Sequence, residues 1–213
     1  MENFKTILWD FDGVIMDSMP VRDKGFEIVL QKYPQEQVSL LMNYHQKNGG
    51  LSRYHKFRYF FEEIRKESIT DDEILALAEQ FSAVMLENLL DENLLIQDSL
   101  NFIKDNHKKY NMHVVSGSDG NELRYICEKL GLSKYFISIH GSPTQKKELV
   151  EKLLAESAYK KEDTCLIGDS YNDLEAAEVN EIVFIGYNNK KLLERTVRYI
   201  TSFELNIEKQ IKF

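Results

Sequence analysis

The stretch ILWDFDGVIMD, residues 7–17, poses the central question: a run of strand-forming residues ends in two aspartates, Asp10 and Asp12, and then Gly13. Ile7, Leu8 and Trp9 favour a buried extended strand, whereas carboxylates two apart at its end need water, a cation or a metal ion. A positive group is therefore expected nearby.

Working outward, four more short apolar runs read as strands, at 112–116, 135–141, 163–169 and 181–186, beside the first at 4–10. Helical patterns separate the last four. Such alternation predicts an α/β fold, a parallel sheet covered by helices on both faces with right-handed crossovers. One helix is expected over 121–130, where Leu123, Ile126, Cys127 and Leu130 recur at helical spacing and Gly131 supplies a stop. The next is expected to open at SPTQ, 142–145, with Ser142 as cap, Pro143 in the first position and Gln145 completing a capping box.

Between the first and second strands lie roughly a hundred residues, far more than one crossover needs, so a separate helical substructure is expected there. Its longest piece, starting at a Thr70–Glu73 capping box, repeats Ile74, Leu77, Ala78, Phe81, Met85 and Leu89 along one face. Earlier pieces near 20–33, 36–46 and 52–66 complete a small bundle interrupted by NGG at 48–50. The aromatic run YHKFRYFF, 54–61, reads as bundle core with its basic residues on the outer face.

The chain has 213 residues, 43% of them hydrophobic, which suits one core plus an insertion. A formal charge of −8, spread without any basic block, argues against nucleic acid as a partner. Cys127 and Cys165 lie in apolar segments and read as core thiols. No signal-peptide pattern precedes the first strand and no run matches a membrane span, so a cytoplasmic protein with no membrane partner is expected.

Four groups of residues fall where strands end, the place where open parallel sheets bind ligands. They are Asp10 with Asp12, Ser116 with Gly117, Lys146 beside Lys147, and Asp169 with Asp173. Converging carboxylates repel one another and call for a lysine and a divalent cation, and an all-oxygen set favours magnesium. Ser116 and Gly117, expected at a helix start, offer a hydroxyl and backbone N–H groups to an anion such as phosphate. A lysine in a helix's first turn works against the helix dipole, which marks Lys146 as a site candidate; helical phase does not separate it from Lys147.

DFDGVIMD (10–17), Ser116, Lys146 and GDSYND (168–173) together resemble the four ordered motifs of the haloacid dehalogenase superfamily. The resemblance implies a Rossmann-like catalytic core, residues 1–17 and 92–213, with an all-helical cap domain at 18–91 like that of phosphoglycolate phosphatase-like and β-phosphoglucomutase-like members. By position it makes Asp10 the nucleophile, Asp12 the acid/base, and Ser116, Gly117 and Lys146 the phosphate-binding groups. It also assigns Mg²⁺ to Asp10, the backbone carbonyl of Asp12, Asp169 and, less directly, Asp173. The implied function is a magnesium-dependent phosphatase acting on a small phosphorylated metabolite through an aspartyl-phosphate.

The GGLSR run at 49–53 is similar to the cap loop of β-phosphoglucomutases, which implies that Arg53 contacts the far end of the substrate and keeps a phosphosugar mutase as the alternative. Against it, Arg22 stands where those mutases have histidine. A receiver-like phospho-acceptor or a non-catalytic binding protein is a more distant alternative. Neither the physiological substrate nor the oligomeric state is legible in the sequence.

Overall fold

Ile7, Leu8 and Trp9 expose no surface because β1 (Thr6–Trp9) is the central strand of the sheet, flanked on both sides. The computed structural model describes residues 4–196 and 198–204. Among them six strands, all parallel, are ordered β3-β2-β1-β4-β5-β6. β2 (Asn111–Asp119) and β3 (Ser138–Ser142) lie to one side of β1; β4 (Thr164–Gly168), β5 (Val183–Tyr187) and β6 (Tyr199–Ile200) lie to the other. Trp9 is in register with both Val114 and Ile167, so the chain direction of crossing reverses at β1 and a crevice opens beyond its carboxyl end.

The sheet differs from expectation at its edges. β6 has only two residues, too few to carry a periodic pattern. β2 continues through Ser116 and Gly117 to Asp119, so those two residues do not begin a helix; α6 (Gly120–Lys129) starts after them with Asp119 as its cap. Ser142 is likewise no helix cap. It pairs with Asp119 at the end of β3, which keeps its backbone in the sheet and delays α7 (Lys146–Glu156) until after Gln145.

The insertion between β1 and β2 comprises α1 (Met19–Val29), α2 (Gln35–Lys47), α3 (Arg53–Tyr59) running into a π-helical turn at Phe60–Arg65, and α4 (Asp71–Asn88). α5 (Gln97–Asn106) then leads back to β2, and α8 (Tyr171–Val179) joins β4 to β5. The Thr70–Glu73 capping box opens α4 as expected. Phe26, Phe57 and Phe81 pack ring to ring at 4.5–6.2 Å in the bundle core, each burial contributing about 1.5–3 kcal/mol. Lys56 does not lie on the outer face: it is 2% exposed and turned inward beside Phe26. Both cysteines are free and buried, and burial pushes each thiol up to about 12. No helix among the described residues is long and apolar enough to cross a membrane.

Candidate active site

Asp10 leaves β1 with its N–H bonded to the Ile167 carbonyl at 2.9 Å, which fixes its carboxylate at the crevice, 3% exposed. The chain then turns sharply, the Gly13 N–H donating to the Met16 carbonyl at 2.8 Å. Gly13 has φ +77°, and a Cβ there would stand 2.1 Å from Asp169 Oδ2. The glycine after the aspartates is thus required by both the turn and the close approach of Asp169.

Asp169 follows β4, and Ser170 caps α8 in a reciprocal box with Asp173. Asp173 Oδ2 accepts from Ser170 N at 3.0 Å and from its hydroxyl at 2.6 Å, leaving Oδ1 for the ammonium of Lys146. Lys146 also donates to Asp10 Oδ1 at 2.8 Å from the first turn of α7. Its neighbour Lys147 points away toward Glu175 at 3.4 Å, so Lys146 is the lysine at the crevice.

Asp10, Asp169 and Asp173 bring carboxylate oxygens within 4.8 Å of one another. Burial, then the Asp173 and Asp12 charges, drive Asp10 up to about 7 against the pull of Lys146. Burial and Asp10 push Asp169 well above the usual carboxylate range, and its carboxylate accepts no hydrogen bond among the described residues. Crowded, under-partnered oxygens of this kind fit a hard divalent cation, with Asp10, Asp169 and Asp173 the residues able to hold it.

The carboxylate of Asp12 does not join that cluster. Its Oδ1 accepts from Arg22 Nε at 2.6 Å and from the Ser18 hydroxyl, while Oδ2 accepts from the Ser118 hydroxyl at 2.5 Å. Burial pushes Asp12 up, but Arg22 and the two hydroxyls outweigh it and hold the group below its ordinary range. Ser116, 1% exposed, faces the same crevice with its Oγ accepting from Ser118 N at 3.1 Å.

The insertion closes over this end of the sheet. Asn172 Nδ2 donates to the Gly50 carbonyl at 2.8 Å, and Tyr54 donates to Asp119 Oδ2 at 2.7 Å. Gly117 faces Gly50 so closely that a Cβ would lie 2.2 Å from its carbonyl oxygen. Arg53 lines the cavity, and its Nη1 is ion-paired with Glu122 Oε2 at 2.7 Å and bonded to Ser82 at 2.6 Å. Glu122 Oε1 lies 3.3 Å from Arg22 Nη1, so one buried carboxylate joins the two arginines. The cavity, ≈ 480 Å³, is lined by Asp10, Asp12, Ser116 and Asp169 together with Arg22, Arg53 and Lys56.

Sequence reasoning passed over Ser18, Ser118, Glu122, Asn172 and Lys56. For Ser118 a signal existed, its spacing of two from Ser116 along a strand; for Lys56 it was the spacing of three from Arg53 along a helix.

A parallel sheet with a buried acid cluster and a lysine at its switch point places charged groups where enzymes of this architecture bind their substrates. The sequence model of the haloacid dehalogenase-like hydrolases matches residues 7–187, and the chain belongs to that family. No curated protein sequence matches it. Among solved structures, it is similar to a predicted phosphatase from Clostridium acetobutylicum (18% identity, 99% of each chain, TM-score 0.78). It also resembles β-phosphoglucomutase from Clostridium difficile (17% identity, 96% of this chain and 94% of that one, TM-score 0.75). A third is the HAD-hydrolase YfnB from Bacillus subtilis bound to magnesium (16% identity, 94% and 96%, TM-score 0.70).

Proposed function

We propose that this hydrolase is a magnesium-dependent phosphatase that removes the phosphoryl group from a small metabolite through an aspartyl-phosphate on Asp10, with residues 18–91 as its cap and 1–17 with 92–213 as its core. The observation that carries the reading is Lys146, buried and bonded to both Asp10 and Asp173 within the acid cluster. Asp10 attacks phosphorus, and the alcohol oxygen departs with a proton from Asp12, which takes that proton up beforehand from the phosphate monoanion as substrate binds. Asp12, then a carboxylate again, the form that Arg22 and the two hydroxyls favour, takes a proton from the water that hydrolyses the acyl phosphate. Ser116 and Lys146 hold phosphoryl oxygens through a loose transition state. Bound magnesium, held by Asp10, Asp169, Asp173 and the Asp12 carbonyl, would offset repulsion between nucleophile and phosphate.

Asp10→Asn keeps the side-chain size and removes the nucleophile, so turnover of p-nitrophenyl phosphate should fall by at least about a thousandfold with the fold intact. Wild-type turnover in Asp10→Asn, or full activity in excess EDTA, would overturn the mechanism. A mutase reading has one observation in its favour, Arg53 in the same cavity as Asp10. Its signature is isomerised sugar phosphate in place of inorganic phosphate as the main product.

A further inference from the structure

Three cations line the cavity, Arg22, Arg53 and Lys56, and two carboxylates stand against them, Asp12 in the cavity and Glu122 behind its wall. Arg22 is answered by Asp12 at 2.6 Å and Glu122 at 3.3 Å, and Arg53 by the same Glu122 at 2.7 Å. Lys56 is answered by neither. Among the described residues its ammonium makes one hydrogen bond, to the Gly49 carbonyl at 3.1 Å, and otherwise faces the Phe26 ring at 5.8 Å. A lysine 2% exposed with no carboxylate in contact is costly unless something else supplies the charge. Beside it, Arg22 Nη2 and Arg53 Nη2 are buried donors with no hydrogen-bond partner among the described residues.

We propose that these groups form a subsite for a single carboxylate, read by Lys56, so that the substrate is a phosphorylated short-chain hydroxy acid. The inference rests on the phosphatase reading and deepens it. One negative charge balances the one unanswered cation, whereas a second phosphate would bring an excess anion and a neutral sugar end would bring none. A carboxylate also presents two oxygens for the three waiting donors, Lys56 Nζ and the two Nη2 groups. Burial and then Arg22 draw free Lys56 down to about 7 against the pull of Asp12 and Asp23, as expected for a cation awaiting its counter-ion.

The test uses a matched pair: 3-phosphoglycerate and glycerol 3-phosphate differ only in carboxylate against hydroxymethyl. For the wild-type enzyme, kcat/KM should favour 3-phosphoglycerate by about tenfold or more, the scale of a charge-assisted hydrogen bond. Lys56→Met should bring the ratio to within about threefold of unity, and Lys56→Arg should keep most of it. A wild-type ratio near one, an unchanged ratio in Lys56→Met, or a preference for fructose 1,6-bisphosphate over 3-phosphoglycerate would overturn the proposal. The same comparison made as calorimetric Kd values, on Asp10→Asn with and without Lys56→Met, needs no turnover. Failure to hydrolyse any phosphate ester would therefore defeat the phosphatase reading alone, while the binding ratio still decides the subsite.

Discussion

Replacing Glu122 by glutamine tests whether the buried carboxylate on α6 ties the insertion to the sheet. The change keeps volume and removes one charge, leaving Arg22 paired only with Asp12 and Arg53 with no anion. The side chains involved are 1%, 7% and 3% exposed for Glu122, Arg22 and Arg53, so water does little to compensate. At an effective dielectric of about 20, contacts at 2.7 and 3.3 Å are worth about 6 and 5 kcal/mol of gross Coulomb attraction. Desolvation cancels much of that in the native protein, but removing one partner strands the others, and the expected loss is about 3–5 kcal/mol. With an m-value of about 2 kcal/mol per molar, the urea midpoint should fall by about 1.5–2.5 M, followed by fluorescence and circular dichroism together. A shift below about 0.5 M would refute the reasoning. So would a double-mutant cycle with Arg53→Met whose coupling energy is under about 0.5 kcal/mol.

Magnesium should raise the melting temperature of the wild-type protein by about 5 °C at saturating concentration, and Asp169→Asn should abolish the rise; an equal rise in both would remove Asp169 from the metal site. Gly117→Ala places a methyl group against the Gly50 carbonyl, backbone against backbone, so KM should increase at least about tenfold with smaller change in melting temperature; a wild-type KM would show that the approach is unnecessary. Burial and then His140 hold His113 down at about 4, so between pH 6.5 and 4 the unfolded chain binds a proton that the folded chain does not. Stability should therefore fall with acidification across that window, by up to about 1.4 kcal/mol per pH unit, and His113→Gln should flatten this slope in urea titrations at several pH values.

The sheet was legible because its central strands are buried on both faces and so read as unbroken apolar runs; Ile7, Leu8 and Trp9, like Cys165, Leu166 and Ile167, expose nothing. The carboxylates at strand ends announced themselves by contrast with those runs. The end of β2 did not, because Gly117, Ser118 and Asp119 look like turn residues and are held in the sheet by pairing with β3, a distant segment. Glu122 was equally silent. An acid in a helix's first turn is the commonplace choice beside a positive dipole end, and only the arrival of two arginines from the insertion gives it another part. Lys56 was misplaced because periodicity assigns every lysine to the wet face, while its burial is decided by what α1, α2 and the Gly49 loop place around it.

Besides Arg22 on α1, which reaches Asp12 and Glu122, three contacts fasten the insertion across the sheet: Asn172 with Gly50, Glu122 with Arg53 and Asp119 with Tyr54. Their insertion-side partners fall within five consecutive residues, and Lys56 lies two further on. These three fastenings and the reading are therefore encoded in one peptide-length cassette. Grafting residues 49–56 between proteins of this architecture would transplant both properties at once, and the acids and lysine on the sheet would have no part in the exchange.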